Sequence, residues 1–394
     1  MANRRETMRA GAAFLAASVL PRPAWAQAAD ADANERLLES LVNVFDFEPV
    51  AHERLSKMAW DYISGAAGDE TTLRWNREGY EKIRLKPRIL MDVSKLDTRV
   101  TVFGQELPFP ILLAPTAYHK LFHPEGELAT ARGAGAVGAG MVLSSFSNTS
   151  VEEVARAAKA PLWFQLYVQR DRELTRDMVQ RAEAAGCRAL CITVDTPVRG
   201  ARNREERIRF ALPPELGLPN VRLRSGTAAS ARGHASTESE IFSAILDPTL
   251  TWKEIAWLRG IAKVPVLLKG VLNPDDAVRA ADEGAAGLIV SNHGARNLDT
   301  VPATIEALPR IADKVGSRVT LLMDGGIRRG TDVVKALALG ARAVLIGRPY
   351  VYGLSAAGDR GVSAILKILR RELEMAMALS GRRSLAEIDS SILW

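Results

Sequence analysis

The segment Ser291-Asn292-His293-Gly294-Ala295-Arg296-Asn297 sets an imidazole three residues before a guanidinium, in a turn that contains glycine. His293 is one of only five histidines in the chain. An imidazole takes a proton near neutral pH. A guanidinium holds a carboxylate through two parallel hydrogen bonds. The pair suits a small acid with a proton to lose. Asp195, at the end of Thr193-Val194-Asp195, offers a carboxylate to orient the imidazole and fix its tautomer. Its alternative role is to cap the turn into Thr196-Pro197. Lys269 closes the apolar run Val266-Leu267-Leu268, where a lysine serves as a Schiff-base nucleophile or as a fixed cation beside a cofactor. Asp324-Gly325-Gly326-Ile327-Arg328-Arg329-Gly330, followed by Ile346-Gly347-Arg348, reads as an anion site. Its glycines let backbone N–H groups approach a phosphate, and its arginines add charge.

These residues lie at the ends of a repeated unit. Eight short apolar runs are each followed by polar or glycine residues and then by a helical pattern: Pro110–Ala117, Met141–Phe146, Leu162–Val168, Arg188–Asp195, Val264–Val271, Gly287–Gly294, Val319–Ile327 and Ala343–Pro349. The runs are continuous rather than alternating, as strands buried on both faces are. Helices are expected at Glu125–Val137, Val151–Ala158, Arg172–Ala185, Trp252–Ile261, Pro274–Glu283, Pro302–Asp313, Arg329–Leu339 and, last, Val362–Leu379. The class is α/β, a (β/α)8 barrel, with an N-terminal helical extension and a long loop after the fourth strand. Active sites of such barrels form where the strands end. Those ends present Thr116 and Ala117, Ser144, Gln165 and Tyr167, Thr193 and Asp195, Lys269, Ser291 and His293, Asp324-Gly325-Gly326, and Gly347-Arg348. The loop of residues 197–250 has a small, polar middle, Ser225 to His234, and is a candidate lid.

The 394 residues are 47% hydrophobic, which suits a large core, and residues 27–394 are expected to form one domain. Half of the net charge of +6 sits in the first 26 residues. The remainder is mildly basic with no block of like charge, so no nucleic-acid partner is expected. Arg4-Arg5, a weakly apolar run from Met8 to Leu20, and Ala24-Trp25-Ala26 read as a twin-arginine-like export signal over residues 1–26. Without a functional signal, the chain would stay in the cytoplasm. No stretch reads as transmembrane. Cys187 and Cys191 are expected to stay reduced, because an extended strand would hold them about 13 Å apart. His52, His119, His123 and His234 share no ligand spacing, and no metal is expected. Gly133-x-Gly135-x-x-Gly138 fits a dinucleotide pattern but ends a helix rather than opening one, so it reads as close packing.

Taken with Trp60-Asp61-Tyr62-Ile63-Ser64-Gly65-Ala66, Leu113-Ala114-Pro115-Thr116-Ala117, His123-Pro124-Glu125-Gly126-Glu127 and Gln165-Leu166-Tyr167, these motifs resemble the FMN-dependent 2-hydroxy acid oxidase and dehydrogenase family. The likeness runs from about residue 35 to the end. It implies that FMN is held by Pro115, Thr116, Ala117, Ser144, Gln165, Thr193, Lys269 and Ser291. The anion site of Asp324, Gly325, Gly326, Arg328, Gly347 and Arg348 would take its phosphate. It implies that His293 is the base, paired with Asp195, and that Lys269 stabilises negative charge on the reduced ring. Arg202 and Arg296 would bind the substrate carboxylate, while Tyr62 and Tyr167 would hydrogen-bond the substrate. The implied reaction converts an (S)-2-hydroxy acid, lactate-, glycolate- or mandelate-like, to its 2-oxo acid. The electrons leave as a hydride or as a carbanion's pair, and pass on to oxygen, a quinone or a cytochrome. Family analogy implies a homotetramer. Asn297 stands where Gln is usual, Phe146 where Trp is frequent, Arg199 where relatives can carry an apolar residue, and Tyr118 is bulky beside the flavin turn. The main alternative is an FMN barrel without net redox chemistry, similar to the type 2 isopentenyl diphosphate isomerase. The His293–Arg296 pair argues against it, since a diphosphate needs no carboxylate clamp. A barrel that binds without catalysis would lack the base or the lysine, and both are present.

Overall fold

The computed structural model describes residues 33–221 and 246–394. The export segment and the middle of the candidate lid, with His234, lie outside the described residues. Residues 33–40 are helical (α1) and belong to a unit that ends at Ser40; a second compact unit comprises Leu41–Trp394.

That second unit is built on a closed barrel of parallel strands. A hairpin, β1 (Val100–Val102) and β2 (Gln105–Leu107), precedes it. The barrel strands are β3 (Ile111–Leu113), β4 (Met141–Ser144), β5 (Leu162–Leu166), β6 (Leu190–Thr193), β7 (Val266–Val271), β8 (Gly287–Val290), β9 (Thr320–Met323) and β10 (Ala343–Ile346). They follow one another in chain order, and β10 closes onto β3. Each strand falls within one expected run, and the end of every run but the fifth forms a loop or opens the next helix instead; in the fifth, Lys269 stays within β7. Cys191 lies in β6, whereas Cys187 precedes it; both are buried and free.

The hairpin plugs one end of the barrel. Val100, Val102 and Leu107 share a cluster with the inward-facing Leu112, Trp163, Leu267, Ile289 and Leu345. Trp163 donates its indole N–H to Gln105 Oε1 at 2.9 Å, which satisfies its one polar group. The cluster packs the barrel interior, which leaves the opposite rim, where the strands end, for a ligand.

Within this unit, the α-helices before the barrel are α2 (Phe47–Arg54), α3 (Lys57–Ser64) and α4 (Thr71–Glu81). Those after β3 to β9 are α5 (Gly126–Gly135), α6 (Val151–Ala157), α7 (Arg172–Ala184), α8 (Asn203–Arg207), α9 (Trp252–Ile261), α10 (Pro274–Asp282), α11 (Thr304–Val315) and α12 (Gly330–Ala338). Their starts are written locally. Ser150 with Glu153, and Thr251 with Glu254, form capping boxes, and Asn273 caps α10 with Pro274 in the first turn. The glycines of the decoy motif end α5; a Cβ on Gly133 would sit 2.4 Å from the Asp359 carbonyl, as close packing requires.

One expected boundary is wrong. The last helix, α13, begins at Arg348 rather than Val362 and runs to Leu379, with a break at Ala357 and Gly358. The break folds its two halves together. A Cβ on Gly361 would lie 1.9 Å from the Gly353 carbonyl, so backbone meets backbone there.

Candidate active site

Parallel register sets a polar row on the rim. Ser144 lies beside Gln165, and Thr193 beside Lys269. The Ser144 hydroxyl donates to Gln165 Oε1 at 3.1 Å, and Gln165 Nε2 donates to Thr193 Oγ1 at 2.9 Å. The Lys269 ammonium donates to Ser291 Oγ at 2.9 Å and pairs with Asp324 Oδ2 at 3.0 Å. Burial alone would pull the Lys269 pKa down, but the Asp324 and Asp195 carboxylates outweigh it and raise it. Lys269 is therefore a fixed cation, not a Schiff-base nucleophile, which would have to be neutral.

The His293 turn is strained. His293, Gly294 and Ala295 all have positive φ, at 58°, 63° and 64°. Side chains hold it from both sides. Ser291 Oγ accepts from the His293 N–H at 3.0 Å, and Asn292 Oδ1 from the Ala295 N–H at 3.1 Å. The Asn292 amide pairs reciprocally with that of Asn76 on α4, at 2.8 and 3.0 Å. Thus a helix outside the barrel anchors the turn.

His293 Nδ1–H donates to Asp195 Oδ1 at 2.9 Å, which leaves Nε2 facing the Tyr167 hydroxyl at 3.2 Å. Asp195 is itself held. Asn297 Nδ2 donates to the Asp195 carbonyl at 2.9 Å and to Thr196 Oγ1 at 2.7 Å. The Thr196 hydroxyl in turn donates to Asp195 Oδ1 at 3.0 Å. Gly270, at φ 107°, leaves the room this carboxylate needs, since a Cβ there would lie 2.4 Å from Asp195 Cγ. Burial lowers the His293 pKa below its usual value, and the Asp195 charge opposes this without reversing it. Burial raises the Asp195 pKa, but His293, Lys269 and Thr196 overcome it and hold it low. The resting pair is a neutral imidazole on a carboxylate.

Across the cavity, Arg296 and Arg202 are tied to the protein as well as open to a ligand. Arg296 Nη1 donates to the Tyr62 and Gly65 carbonyls at 2.5 and 2.9 Å, and Nη2 to Glu205 Oε1 at 2.7 Å. Its guanidinium carbon lies 4.7 Å from the Tyr62 ring centroid. Arg202 Nε donates to the Arg296 carbonyl at 3.1 Å. Burial, and then the Arg296 charge, lower the Arg202 pKa, as when cations outnumber anions. Tyr62 stacks on Phe210 at 4.8 Å. Burial raises the pKa of both Tyr62 and Tyr167, so both remain hydrogen-bond donors.

At the far end, Gly347 precedes the first turn of α13, and nothing lies within 4 Å of a Cβ built on it. The Arg348 guanidinium donates to the carbonyls of Ile63, Gly294 and Gly65 at 2.8, 2.9 and 2.7 Å. Burial draws its pKa down to about 10. Among the described residues, neither Arg348 nor Arg328 has a carboxylate within ion-pair distance. Two half-buried guanidiniums without a carboxylate partner among the described residues, beside a helix N-terminus, fit a phosphate. Gly325 and Gly326 line the same cavity as Arg328 and Arg348. At φ 101° and 78°, they also let two helices approach, since a Cβ would lie 2.6 Å from Thr304 Oγ1 of α11 at Gly325 and 2.0 Å from the Asn76 carbonyl of α4 at Gly326.

One cavity is lined by Tyr62, Pro115, Thr116, Ala117, Ser144, Gln165, Tyr167, Thr193, Arg202, Lys269, His293, Arg296, Asp324, Gly325, Gly326, Arg328, Gly347 and Arg348. Of the expected site residues, only Asp195 and Ser291 stand behind its wall. Sequence reasoning missed Glu205, which joins the two arginines, and Asn76, which holds the His293 turn. Glu205 sits three residues after Arg202, a spacing that places both on one face of a helix. Asn76 carries no such signal. The hydrogen-bonding row, the fixed cation and the unpaired guanidiniums match a polar ring system that carries a phosphate, and so fit FMN.

Residues 51–394 match the model of a family described as FMN-dependent dehydrogenase. The chain is 48% identical to an L-lactate oxidase of Nostoc sp. strain PCC 7120 over 363 residues, which cover 90% of this chain and 99% of that protein. It is 49% identical to glycolate oxidase 1 of Zea mays over 351 residues, 88% of this chain and 94% of the other. A mandelate oxidase solved with (S)-4-hydroxymandelic acid superposes with a TM-score of 0.82 at 40% identity, covering 90% of this chain and 98% of that one. These relatives are oxidases of 2-hydroxy acids, and the isomerase alternative finds no support among them. The cofactor is FMN, and the chain belongs to the FMN-dependent dehydrogenase family.

Proposed function

We propose that this protein oxidises (S)-2-hydroxy acids with His293 as the base and Arg202 and Arg296 as the carboxylate clamp. The observation that carries the reading is the line Asp195–His293–Tyr167, with contacts of 2.9 and 3.2 Å, facing the two arginines across one cavity. The arginines hold the α-carboxylate, and the Tyr62 and Tyr167 hydroxyls orient the substrate. His293 Nε2 takes a proton, and Asp195 stabilises the imidazolium that forms. FMN, when bound, accepts the two electrons. Lys269 keeps a positive charge beside the ring site, and Arg328 and Arg348 hold the phosphate.

The likeness to proteins named oxidases supports oxygen as the electron acceptor; a quinone or a cytochrome is the other choice. Family analogy supports a tetramer, which light scattering of the purified protein would test. Arg4-Arg5 and the weakly apolar run after it support export. Fractionation of producing cells should place the protein in the periplasm, and retention there after both arginines become lysine would refute the route. Among the described residues, no helix is long and apolar enough to cross a membrane.

The test is direct. The purified protein should show a flavin spectrum that lactate, glycolate or mandelate bleaches without oxygen. A bound flavin that no 2-hydroxy acid bleaches would reject the proposal.

A further inference from the structure

Three guanidiniums converge on one carboxylate. Glu205, whose side chain is only 2% exposed, has both oxygens engaged. Oε1 faces Arg296 Nη2 at 2.7 Å and Arg202 Nη1 at 3.6 Å, and Oε2 accepts from Arg199 Nη2. Three cations against one anion leave the cluster at +2. Neighbouring charges do not correct this, because Asp195 faces His293 and Lys269 faces Asp324. The α-carboxylate of a 2-hydroxy acid lowers the cluster to +1.

The cation left over is Arg199. Arg202 and Arg296 both spend donors on backbone carbonyls, whereas the only hydrogen bond of Arg199 among the described residues runs to Glu205. Its remaining N–H groups have no hydrogen-bond partner among the described residues, it lines the cavity, and its side chain is 38% exposed. It bears on the ionisation of Tyr62 and Tyr118, so its charge is felt at that wall of the cavity. Leu212, Phe210 and Tyr118 also line the cavity and offer apolar surface to a short methylene chain.

We propose that Arg199 is a second anion-binding point, and that the substrates this site prefers are 2-hydroxy acids with a second carboxylate at the end of a short chain. The inference rests on the reading of the cavity as a 2-hydroxy acid site. The terminal carboxylate takes the open N–H groups of Arg199, and with both carboxylates bound the cluster is neutral.

The experiment compares (S)-2-hydroxyglutarate with (S)-2-hydroxyvalerate, which has the same carbon chain without the second carboxylate. For the wild type, kcat/KM should favour the dicarboxylate by about ten- to a hundredfold, the range of a charge-assisted hydrogen bond. The preference should fall by that factor in Arg199→Met and partly persist in Arg199→Lys. A readout without turnover is the Kd of 2-oxoglutarate relative to 2-oxovalerate, from perturbation of the flavin spectrum; this ratio should collapse in parallel. Equal kcat/KM for the two substrates in the wild type, or a preference that survives in Arg199→Met, would overturn the inference while leaving the hydroxy acid reading intact. A flavin reduced by neither substrate, nor by lactate, glycolate or mandelate, would overturn both.

Discussion

Replacing Asp195 by Asn removes one charge from the His293 pair and little else. Both the Thr196 hydroxyl and His293 Nδ1–H donate to Oδ1, so the amide oxygen will occupy that position and keep the imidazole tautomer. The amide nitrogen then falls at Oδ2, which is buried and has no partner among the described residues. The variant should therefore lose about 1–3 kcal/mol of stability. The larger effect is on the base. A carboxylate stabilises an imidazolium about 4 Å away by about 4 kcal/mol at an effective dielectric of 20, while a charge-assisted hydrogen bond exceeds a neutral one by about 1 kcal/mol. These values bracket a fall of about 1–3 units in the His293 pKa. The sign follows from Asp195 raising that pKa: its loss must lower it. The acid limb of the kcat/KM profile, where His293 becomes protonated and inactive, should move to lower pH. The plateau should fall by about 10- to 1000-fold, because the imidazolium formed on proton transfer loses its counter-charge. Anaerobic stopped-flow reduction of the bound flavin, followed against pH, reads both effects. An acid limb that moves up, or a plateau that keeps the wild-type rate, would refute the assignment of Asp195 and the electrostatics behind it.

Three further outcomes follow from the geometry. Arg348→Met should weaken FMN by about 10- to 100-fold while leaving riboflavin, which lacks the phosphate, nearly unaffected; equal losses for the two ligands in binding titrations would remove Arg348 from the phosphate site. Gly326→Ala forces a Cβ to within 2.0 Å of the Asn76 carbonyl at φ 78°, so denaturant unfolding should report a loss of at least about 3 kcal/mol, and an unchanged midpoint would show that α4 does not approach so closely. Asn297→Ala frees the Thr196 hydroxyl to rotate away from Asp195, and should slow flavin reduction by about tenfold with little change in KM; a change in KM alone would place Asn297 on the substrate instead.

The barrel was legible because strands buried on both faces are written as continuous apolar runs, and because each run ended in the residues that now line the rim. Ser144, Gln165, Thr193, Lys269 and His293 could be read from position alone. The start of α13 could not. Pro349, Gly353, Gly358 and Gly361 break a helical pattern on paper, yet a proline is favourable in a first turn, Gly358 takes the positive φ of the break, and Gly353 and Gly361 are where the two halves touch. Asn76 was invisible because its partner, Asn292, lies 216 residues away and two amides pair without a local motif. Gly325 and Gly326 were read for the anion site, but what packs behind them was not legible. Positive φ and close approach hold at both positions: Thr304 of α11 approaches Gly325, and the Asn76 carbonyl of α4, a helix that precedes the barrel, approaches Gly326. Glu205 hid in a charged helical turn that reads as a solvated face, and only the fold shows it buried between arginines.

The central claim is that His293 is the base. In His293→Ala the flavin should remain bound, since Lys269, Gln165, Arg328 and Arg348 are untouched. Its anaerobic reduction by a 2-hydroxy acid that bleaches the wild type should slow by about 100- to 10,000-fold, the usual contribution of a positioned base. Reduction of the flavin in His293→Ala at the wild-type rate would contradict the account.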